Sequence, residues 1–394
     1  MTVLAAVNAD NTTAAMSSAD GSTWTARTIS GNTRYSSICW SPELNLFCAV
    51  ASGGTTNQVS TSPDGVTWTA RTPAATNAWN SVCWSPELGL FCAVSGTGAG
   101  NRVMTSPDGI TWTSRTNSVA ITFNEVCWSP EQGIFLAVGS TSASCMTSPD
   151  GITWTTRTLN ASKNWLSCAW SPSLGLFVAI SDGGSTIGNF QTSPDGITWT
   201  DRTPGTAIAP TSVCWSEDLT LFVAVGTSGA SRVLTSPDGA TWTARTAADV
   251  TASWQSVVWS SELSLFVAVA LSGTNRVMTS SDGTTWNAQS ASAAQQWQSV
   301  AVTYAGSVTG TGALDADAAT VAGSGVSSSS GTGTIEAQAA AVDGSGVVGD
   351  PILGDGVLVA QDAAVAGAGD VADPPVPPVP PVILPAVVVV VVNR

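Results

Sequence analysis

The stretch TSPDGVTWTART, residues 61–72, decides the fold because close copies of it recur along the chain. Seven copies of the pattern S-x-D-G-x-T-W are present, and consecutive copies are 42 to 45 residues apart. A second pattern, CWSPELNLFCAV at residues 39–50, recurs in step with the first. Self-similarity at a fixed period of this length indicates a repeat architecture. The aspartates of the seven copies are Asp20, Asp64, Asp108, Asp150, Asp195, Asp238 and Asp282.

Each repeat reads as four short strands. Residues 81–116 contain SVCWS, LFCAVS, RVMTS and TWTSRT, which are rich in β-branched or aromatic residues and are separated by turn residues. In the S-P-D-G turn, Pro suits the second position of a type I turn and Gly supplies a positive φ. The Ser and Asp side chains can bond the backbone of their own turn. The seven aspartates are therefore predicted to be structural turn residues.

Four strands in about 40 to 45 residues is the period of a β-propeller blade. After the last copy, QSVAVTYA at residues 298–305 supplies one more first strand, and TVLAAV, TAAMSS and WTART near the N-terminus supply three others. The sequence predicts an all-β, seven-bladed propeller over residues 1–305, with four-stranded blades and a seventh blade closed by N- and C-terminal strands. Closure of the ring removes exposed sheet edges.

The S-x-D-G-x-T-W turn between the third and fourth strands resembles the Asp-box (BNR-type) repeat of sialidases and related propellers. The resemblance covers residues 1–305, but the usual box has one more residue between Asp and Trp. It implies that the boxes are structural and lie on the rim away from the active face.

Composition excludes several classes of function. The chain has 394 residues, a net charge of −15, no histidine and only 12 scattered Lys and Arg residues, which argues against a nucleic-acid partner. The sequence has no CxxC pair, so no metal site or cofactor is predicted. The apolar run at residues 382–392 is too short to span a bilayer as a helix, and the N-terminus lacks the basic region of a signal peptide.

Five of the eight cysteines fall at or beside the position before the first-strand Trp. Equivalent positions in neighbouring blades are expected to be too far apart to form disulfides, which predicts buried free thiols. These five are Cys39, Cys83, Cys127, Cys168 and Cys214.

The two faces of the predicted disc differ in sequence. The first-to-second and third-to-fourth turns share one face, here called the turn face, and vary little. The second-to-third loops and the links between blades share the opposite face, the loop face, and vary strongly. Variable loops on a rigid scaffold usually carry specificity, so we expect function on the loop face.

An aromatic residue stands five positions before the first-strand Trp in five blades, and the seventh blade has one in the equivalent place, near the expected mouth of the channel. Such a ring could bind sugars, and the alternative is that these residues pack between the blades. The ring consists of Tyr35, Trp79, Phe123, Trp165, Trp254 and Trp297.

Catalytic equipment is not evident in the sequence. Six arginines, each three residues after a box Trp, stand at equivalent positions in separate blades and cannot converge on one substrate. Glycoside hydrolysis needs two suitably placed carboxylates, or a Tyr with an acidic partner. Outside the boxes, four acids lie in or near variable loops and form no convincing pair: Glu125, Asp182, Asp201 and Asp249. With no His to act as base, the chain is predicted not to be an enzyme.

The C-terminal quarter has a different composition. Residues 306–370 are rich in Gly and Ala and contain three weak repeats spaced 21 and 23 residues apart, which suits either a small extended β module or a flexible linker. Residues 371–394 contain DPPVPPVPPVILP, a polyproline II spacer, followed by a run of valines. This run is expected to add as a strand to a neighbouring subunit, and the alternative is a disordered end. It consists of Val387, Val388, Val389, Val390, Val391 and Val392.

A closed propeller joined to a spacer and a terminal strand resembles the structural proteins of tailed bacteriophages. The function expected from the sequence is a non-enzymatic structural or adhesion protein of a virion, in the tail, a fibre or the capsid decoration. Its expected partners are other virion subunits, bound through the C-terminal arm in an oligomeric assembly, and a host-surface glycan. Two alternatives remain open: a secreted or cell-surface carbohydrate-binding lectin, and a sialidase-like glycosidase.

Overall fold

The computed structural model describes residues 2–10, 14–30, 34–54, 56–140, 142–182, 189–206, 208–229 and 231–304, with two further strands at 335–338 and 358–361. The chain divides into two units, Met1–Gly306 and Ser307–Arg394. In these parts of the chain there is no helix long and apolar enough to cross a bilayer.

The strands of the first unit are short and follow the repeat. In chain order they are β1 (Leu4–Asn8), β2 (Ala14–Ser18), β3 (Thr25–Thr28), β4 (Tyr35–Ser41), β5 (Leu46–Ala51), β6 (Val59–Ser62), β7 (Thr69–Arg71), β8 (Trp79–Ser85), β9 (Leu90–Ser95), β10 (Val103–Ser106), β11 (Thr113–Arg115), β12 (Phe123–Ser129), β13 (Ile134–Gly139), β14 (Ser142–Ser148), β15 (Thr155–Lys163), β16 (Trp165–Ser171), β17 (Leu176–Ser181), β18 (Phe190–Ser193), β19 (Thr200–Arg202), β20 (Ile208–Ser216), β21 (Leu221–Gly229), β22 (Arg232–Ser236), β23 (Thr243–Thr246), β24 (Trp254–Ser260), β25 (Leu265–Ala270), β26 (Val277–Ser280), β27 (Asn287–Gln289) and β28 (Trp297–Val302).

These strands form seven four-stranded antiparallel sheets, which are the blades of a propeller. Six blades are consecutive groups of four strands, from β4–β7 to β24–β27. The first strands of successive blades contact one another around the central channel, and β28 contacts β4 to complete the circle. The predicted all-β, seven-bladed propeller is confirmed.

The seventh blade is built from both ends of the unit. Its strand order is β28-β1-β2-β3, and β1 pairs with β28 in antiparallel register, with Leu4 opposite Val302 and Val7 opposite Ser299. The Thr303 N–H donates to the carbonyl of Val3 at 2.9 Å. Opening the ring at this blade would break a whole strand ladder, so the closure predicted from the sequence locks the propeller.

The hydrophobic core lies between blades. In one such cluster, Cys48 and Val50 of one blade pack with Trp79 and Phe91 of the next, and all four side chains are buried. In five blades the second-strand Phe lies between two tryptophans: the ring centroid of Phe91 is 4.5 Å from that of Trp84 and 6.3 Å from that of Trp112. Because each interface joins two blades, the repeats stabilise one another and no blade has a complete core of its own.

The third-to-fourth turns satisfy their own polar groups. Asp64 Oδ1 accepts hydrogen bonds from the backbone N–H groups of Val66 at 2.8 Å and Thr67 at 2.7 Å, and from the Ser62 hydroxyl at 3.0 Å. Gly65 has a φ of 67°, which suits glycine, and the Trp68 indole N–H donates to its carbonyl. Burial opposes ionisation of Asp64, but these three donors outweigh it and hold the pKa of the carboxyl below its usual range.

The other six aspartates of the pattern accept the corresponding backbone hydrogen bonds in their own turns, so each carboxylate is part of a hairpin. They are Asp20, Asp108, Asp150, Asp195, Asp238 and Asp282.

The described part of the second unit consists of β29 (Ile335–Gln338) and β30 (Leu358–Gln361). They pair in parallel, with Ile335 opposite Leu358, so equivalent residues of two of the weak repeats are aligned. The remainder of residues 306–370, the proline-rich spacer and the valine run at 387–392 lie outside the described residues.

Candidate functional site

The six aromatic residues near the channel mouth are core residues in the structure. Tyr35, Trp79, Phe123, Trp165, Trp254 and Trp297 are all 0% exposed. The Trp79 indole N–H donates to the carbonyl of Ala75 at 3.0 Å, and the Tyr35 hydroxyl bonds the carbonyl of Ser30 and the hydroxyl of Ser60. The Trp79 indole and the Tyr35 hydroxyl thus bond groups of their own blade or of the link before it, and the rings pack between two blades. The ring faces expected to bind sugars are therefore covered by protein, as the packing alternative required.

A ring of serine hydroxyls connects the innermost strands. In six of the seven blades the first strand carries a serine whose Oγ accepts a hydrogen bond from a backbone N–H of the next blade, over 3.2 to 3.3 Å. The six serines are Ser37, Ser81, Ser167, Ser212, Ser256 and Ser299. The ladder is cyclic, because Ser299 of the closing strand β28 accepts from Ile38 of β4. These hydrogen bonds join first strands of different blades, which do not pair with each other in a sheet.

Glu125 occupies the serine position in the remaining blade. Its Oε1 accepts a hydrogen bond from the Ser81 hydroxyl at 2.9 Å, and the residue lines the central channel. Burial raises the pKa of this carboxyl to about 7, and the bond from Ser81 only partly opposes that rise. The sequence placed Glu125 in or near a variable loop. The structure corrects this, because the residue lies inside β12 and faces the channel.

Two cysteines meet at the same junction. Cys127 of β12 and Cys168 of β16 have their Sγ atoms 3.1 Å apart. This pair of neighbouring-blade thiols comes closer than the sequence predicted, because Cys168 stands one residue before the repeated cysteine position, where most other blades have a valine. All eight cysteines are free thiols. Burial raises the pKa of Cys168 well above its ordinary value, and Cys127 and Glu125 raise it further, so this thiol is the opposite of an activated nucleophile.

The channel opens toward the loop face through a polar rim. A cavity of about 650 Å³ extends along the inner strands and is lined by Asn80, Asn124, Glu125 and Thr211, among others. Three rim side chains tie one blade to the next: Asn80 donates to the carbonyl of Phe123, Asn124 to that of Trp165 and Thr211 to that of Trp254, over 2.7 to 2.8 Å. The rim is therefore largely occupied in holding the ring together.

The other acids considered in the sequence are held separately. Asp182 accepts from the Asn164 amide, Asp201 from the Gln191 amide and Asp249 from the Thr251 hydroxyl and the Thr274 N–H. Each has its own neutral donors, and none shares a partner with Glu125. The described residues also contain no group of three or more metal-ligating side chains that could hold an ion.

The repeated arginines serve the scaffold. Their Nε atoms donate to a Ser or Thr hydroxyl of the adjacent third strand over 2.8 to 3.1 Å, so they do not form a cluster that could grip a carboxylate. They are Arg27, Arg71, Arg115, Arg157, Arg202 and Arg245. Arg102, Arg232 and Arg276 donate to carbonyl groups of the loops and links on the loop face.

The turn face carries an apolar surface that the sequence reasoning missed. Within the described residues, ten large apolar side chains are exposed, and nine of them lie on this face; Val250 of the loop face is the exception. The nine are Leu44, Val66, Leu88, Ile110, Ile152, Leu174, Ile197, Leu219 and Tyr304. The signal was present in the repeats, since Leu in S-P-E-L and Val or Ile after Asp-Gly place apolar residues at turn positions where polar ones are usual.

The turn face is also where the chain leaves the propeller. Strand β28 runs from the loop face to the turn face, and the Trp40 indole N–H donates to the carbonyl of Tyr304 at 3.2 Å. Around the channel outlet, first-strand tryptophans donate to acidic side chains, as Trp84 does to Glu43 and Trp128 to Glu87, both at 2.6 Å. The turn face thus combines exposed aliphatic side chains with an ordered ring of tryptophans.

Comparison with known proteins shows the fold. No protein-family model matches the chain, and no curated protein matches it. A streptogramin B lyase structure matches with a TM-score of 0.58 at 9% identity, over 68% of this chain and 86% of that one. A protein from Lactobacillus plantarum matches with a TM-score of 0.57 at 11% identity, over 77% and 100% of the two chains. A virginiamycin B lyase from Staphylococcus aureus matches with a TM-score of 0.56 at 10% identity, over 74% and 89%.

Identities this low establish a shared propeller fold and nothing about activity. The fold therefore decides neither an enzymatic nor a non-enzymatic role for this chain.

Proposed function

We propose that the chain is a non-enzymatic structural or adhesion component of a tailed-phage-like particle. In this proposal the turn face is seated against neighbouring subunits and the loop face is presented outward, with the virion as its location. The observation that carries the proposal is the one-sided distribution of exposed apolar side chains, nine on the turn face against one on the loop face. Exposed apolar side chains that gather on one face of a ring suit an interaction surface.

The course of the chain supports the same orientation. The propeller ends at the turn face, at Tyr304, and residues 306–394 continue from there. The C-terminal arm, whose valine run at 387–392 adds as a strand to a neighbouring subunit, would anchor the propeller in the particle. The variable loops would then face outward, where a host-surface glycan is the partner expected from the sequence.

The chemistry of the channel favours a non-enzymatic role. The box aspartates are held in turns, the repeated arginines bond neighbouring hydroxyls, and the one thiol pair has a raised pKa at Cys168. Without histidine in the sequence, neither Glu125 nor a thiol has the base partner used in nucleophilic catalysis. The lectin alternative loses its proposed binding surface, because the aromatic ring is buried.

The proposal is tested by placing acidic residues on each face in the producing organism. The double variant Leu88→Asp, Ile152→Asp should lower the fraction of the chain that sediments with particles by at least tenfold, with circular dichroism unchanged. The matched control is Val250→Asp, an equally exposed aliphatic residue on the loop face, which should sediment like the wild type. Wild-type chain that stays in the soluble fraction, with no particle labelled by immunogold in micrographs, would refute the proposal.

A further inference from the structure

The junction between the blades of β12 and β16 differs from the other six in two ways. It lacks the serine hydroxyl that accepts a backbone N–H from the next blade, because Glu125 stands at that position. It is also the junction at which two thiols face each other, with Cys127 Sγ and Cys168 Sγ 3.1 Å apart. The hydrogen-bonded connection found elsewhere is thus replaced by a pair of sulfur atoms at van der Waals contact or closer.

Other junctions show that the facing pair is specific to this one. Cys39 packs in the cluster that contains Val82 of the next blade, Cys83 in the cluster of Val126, and Cys214 in the cluster of Val257. At each of these junctions the repeated thiol packs against a valine of the next blade, while Cys48 and Cys92 are the cross-strand neighbours of Cys39 and Cys83 within their own blades. Only in the cluster of β12 and β16 does the valine position hold a cysteine, Cys168, opposite the repeated cysteine, Cys127.

We propose that Cys127 and Cys168 are a modification site that forms a disulfide between two blades when the protein meets a low-molecular-weight disulfide such as oxidised glutathione. The two sulfurs must approach by only about 1 Å, since an S–S bond is about 2.05 Å long. The bond joins neighbouring innermost strands, so it closes a loop of one blade. It fastens the one junction that has no serine hydrogen bond.

The reaction is balanced by the oxidant. Cys127 is the more exposed of the two thiols, and its thiolate attacks one sulfur of oxidised glutathione and releases one glutathione thiolate. The Cys168 thiol then loses its proton and displaces the second glutathione from the mixed disulfide. The protein loses two protons and two electrons, one Sγ–Sγ bond forms, and oxidised glutathione is reduced to two glutathione molecules.

The test uses the purified full-length chain, which has eight cysteines. Treatment with oxidised glutathione at mildly alkaline pH should lower the thiols titrated after denaturation from eight to six. Non-reducing tryptic mapping should join the peptide of residues 116–157, which holds Cys127 and Cys145, to the peptide of residues 164–202, which holds Cys168. The oxidised protein should melt roughly 5 °C or more above the reduced one, because the cross-link restricts the unfolded chain.

Variants identify the pair. Cys168→Val installs the residue that other blades have at this position, so it should fold, lose the cross-link and melt at the same temperature with and without oxidant. Cys83→Ser removes the equivalent of Cys127 in the preceding blade and should keep the cross-link, with its thiols falling from seven to five. Eight thiols remaining after oxidation, a stable glutathione adduct, or a bridge joining any other two cysteines would overturn the proposal.

Discussion

Replacing Glu125 by serine is expected to stabilise the propeller much more at neutral pH than near pH 4. Glu125 stands in the serine ladder and faces the channel, and burial raises its pKa from 4.5 to about 7. A carboxyl whose pKa is higher in the folded state costs no stability below its unfolded pKa, near 4.3. Stability is then lost as the pH rises through the folded pKa.

The magnitude follows from the displacement of the pKa. A rise in the pKa of Glu125 from 4.5 to about 7 on folding lowers the free energy of unfolding by about 3 kcal/mol above pH 7, at 1.36 kcal/mol per pKa unit. This is an upper bound, because the Glu125 side chain is only partly buried and solvent screening reduces the cost. Serine also supplies an Oγ that can accept the N–H of Cys168, as at the other six junctions, which adds about 1 kcal/mol at every pH.

Thermal melts at several values between pH 4 and pH 8 check both contributions. Glu125→Gln removes the charge without restoring the serine hydrogen bond, so its melting temperature should exceed that of the wild type by about 5 °C at pH 8 and by almost nothing near pH 4. Glu125→Ser should lie above Glu125→Gln throughout. Glu131→Gln, at the turn face of the same blade, controls for the loss of one negative charge. A difference between wild type and Glu125→Gln that does not vary with pH would refute the reasoning.

Three further changes test the scaffold. Asp150→Ala should lower the free energy of unfolding in urea at pH 7 by about 1–2 kcal/mol, because two turn N–H groups lose their acceptor. The folded state lowers the pKa of Asp150, so this contribution is present above the unfolded pKa near 3.9 and is lost as the pH falls. An equal cost at pH 2.5 would contradict this. Trp79→Ala should cost about 3–5 kcal/mol, since this fully buried ring would leave a cavity between blades, and a loss below 1 kcal/mol would show that it is not core. Ser256→Ala should lower the melting temperature by a few degrees, because the N–H of Val300 loses its partner, and an unchanged melt would show that the ladder contributes nothing.

Much of the fold could be predicted because its determinants are local. The period of the repeats, the S-P-D-G turn chemistry and the enrichment of each strand in β-branched and aromatic residues are all encoded in contiguous residues. Even the closure of the ring followed from counting strands at the two ends, which the pairing of β1 with β28 confirmed. A repeat protein allows this because the same local solution is used seven times.

The candidate site could be predicted only in part. The sequence identified the aromatic residues at the start of the first strands but could not tell whether their faces would be covered, since that depends on the neighbouring blade. It likewise placed Glu125 in or near a variable loop, although Glu125 is the third residue of β12, because the start of the strand could not be fixed from the sequence. The apolar turn face was visible as Leu and Ile at turn positions, but only the folded ring shows that they gather on one side.

The sequence by itself therefore determined a closed seven-bladed propeller whose turns hydrogen-bond their own polar groups. Only the tertiary structure decided that the aromatic residues are interblade wedges, that Glu125 interrupts a ring of serines, and that Cys127 and Cys168 come within 3.1 Å. The physical reason is the distance along the chain. Contacts across a blade junction join residues about 40 positions apart, and their geometry is set by how tightly the inner strands converge on the channel.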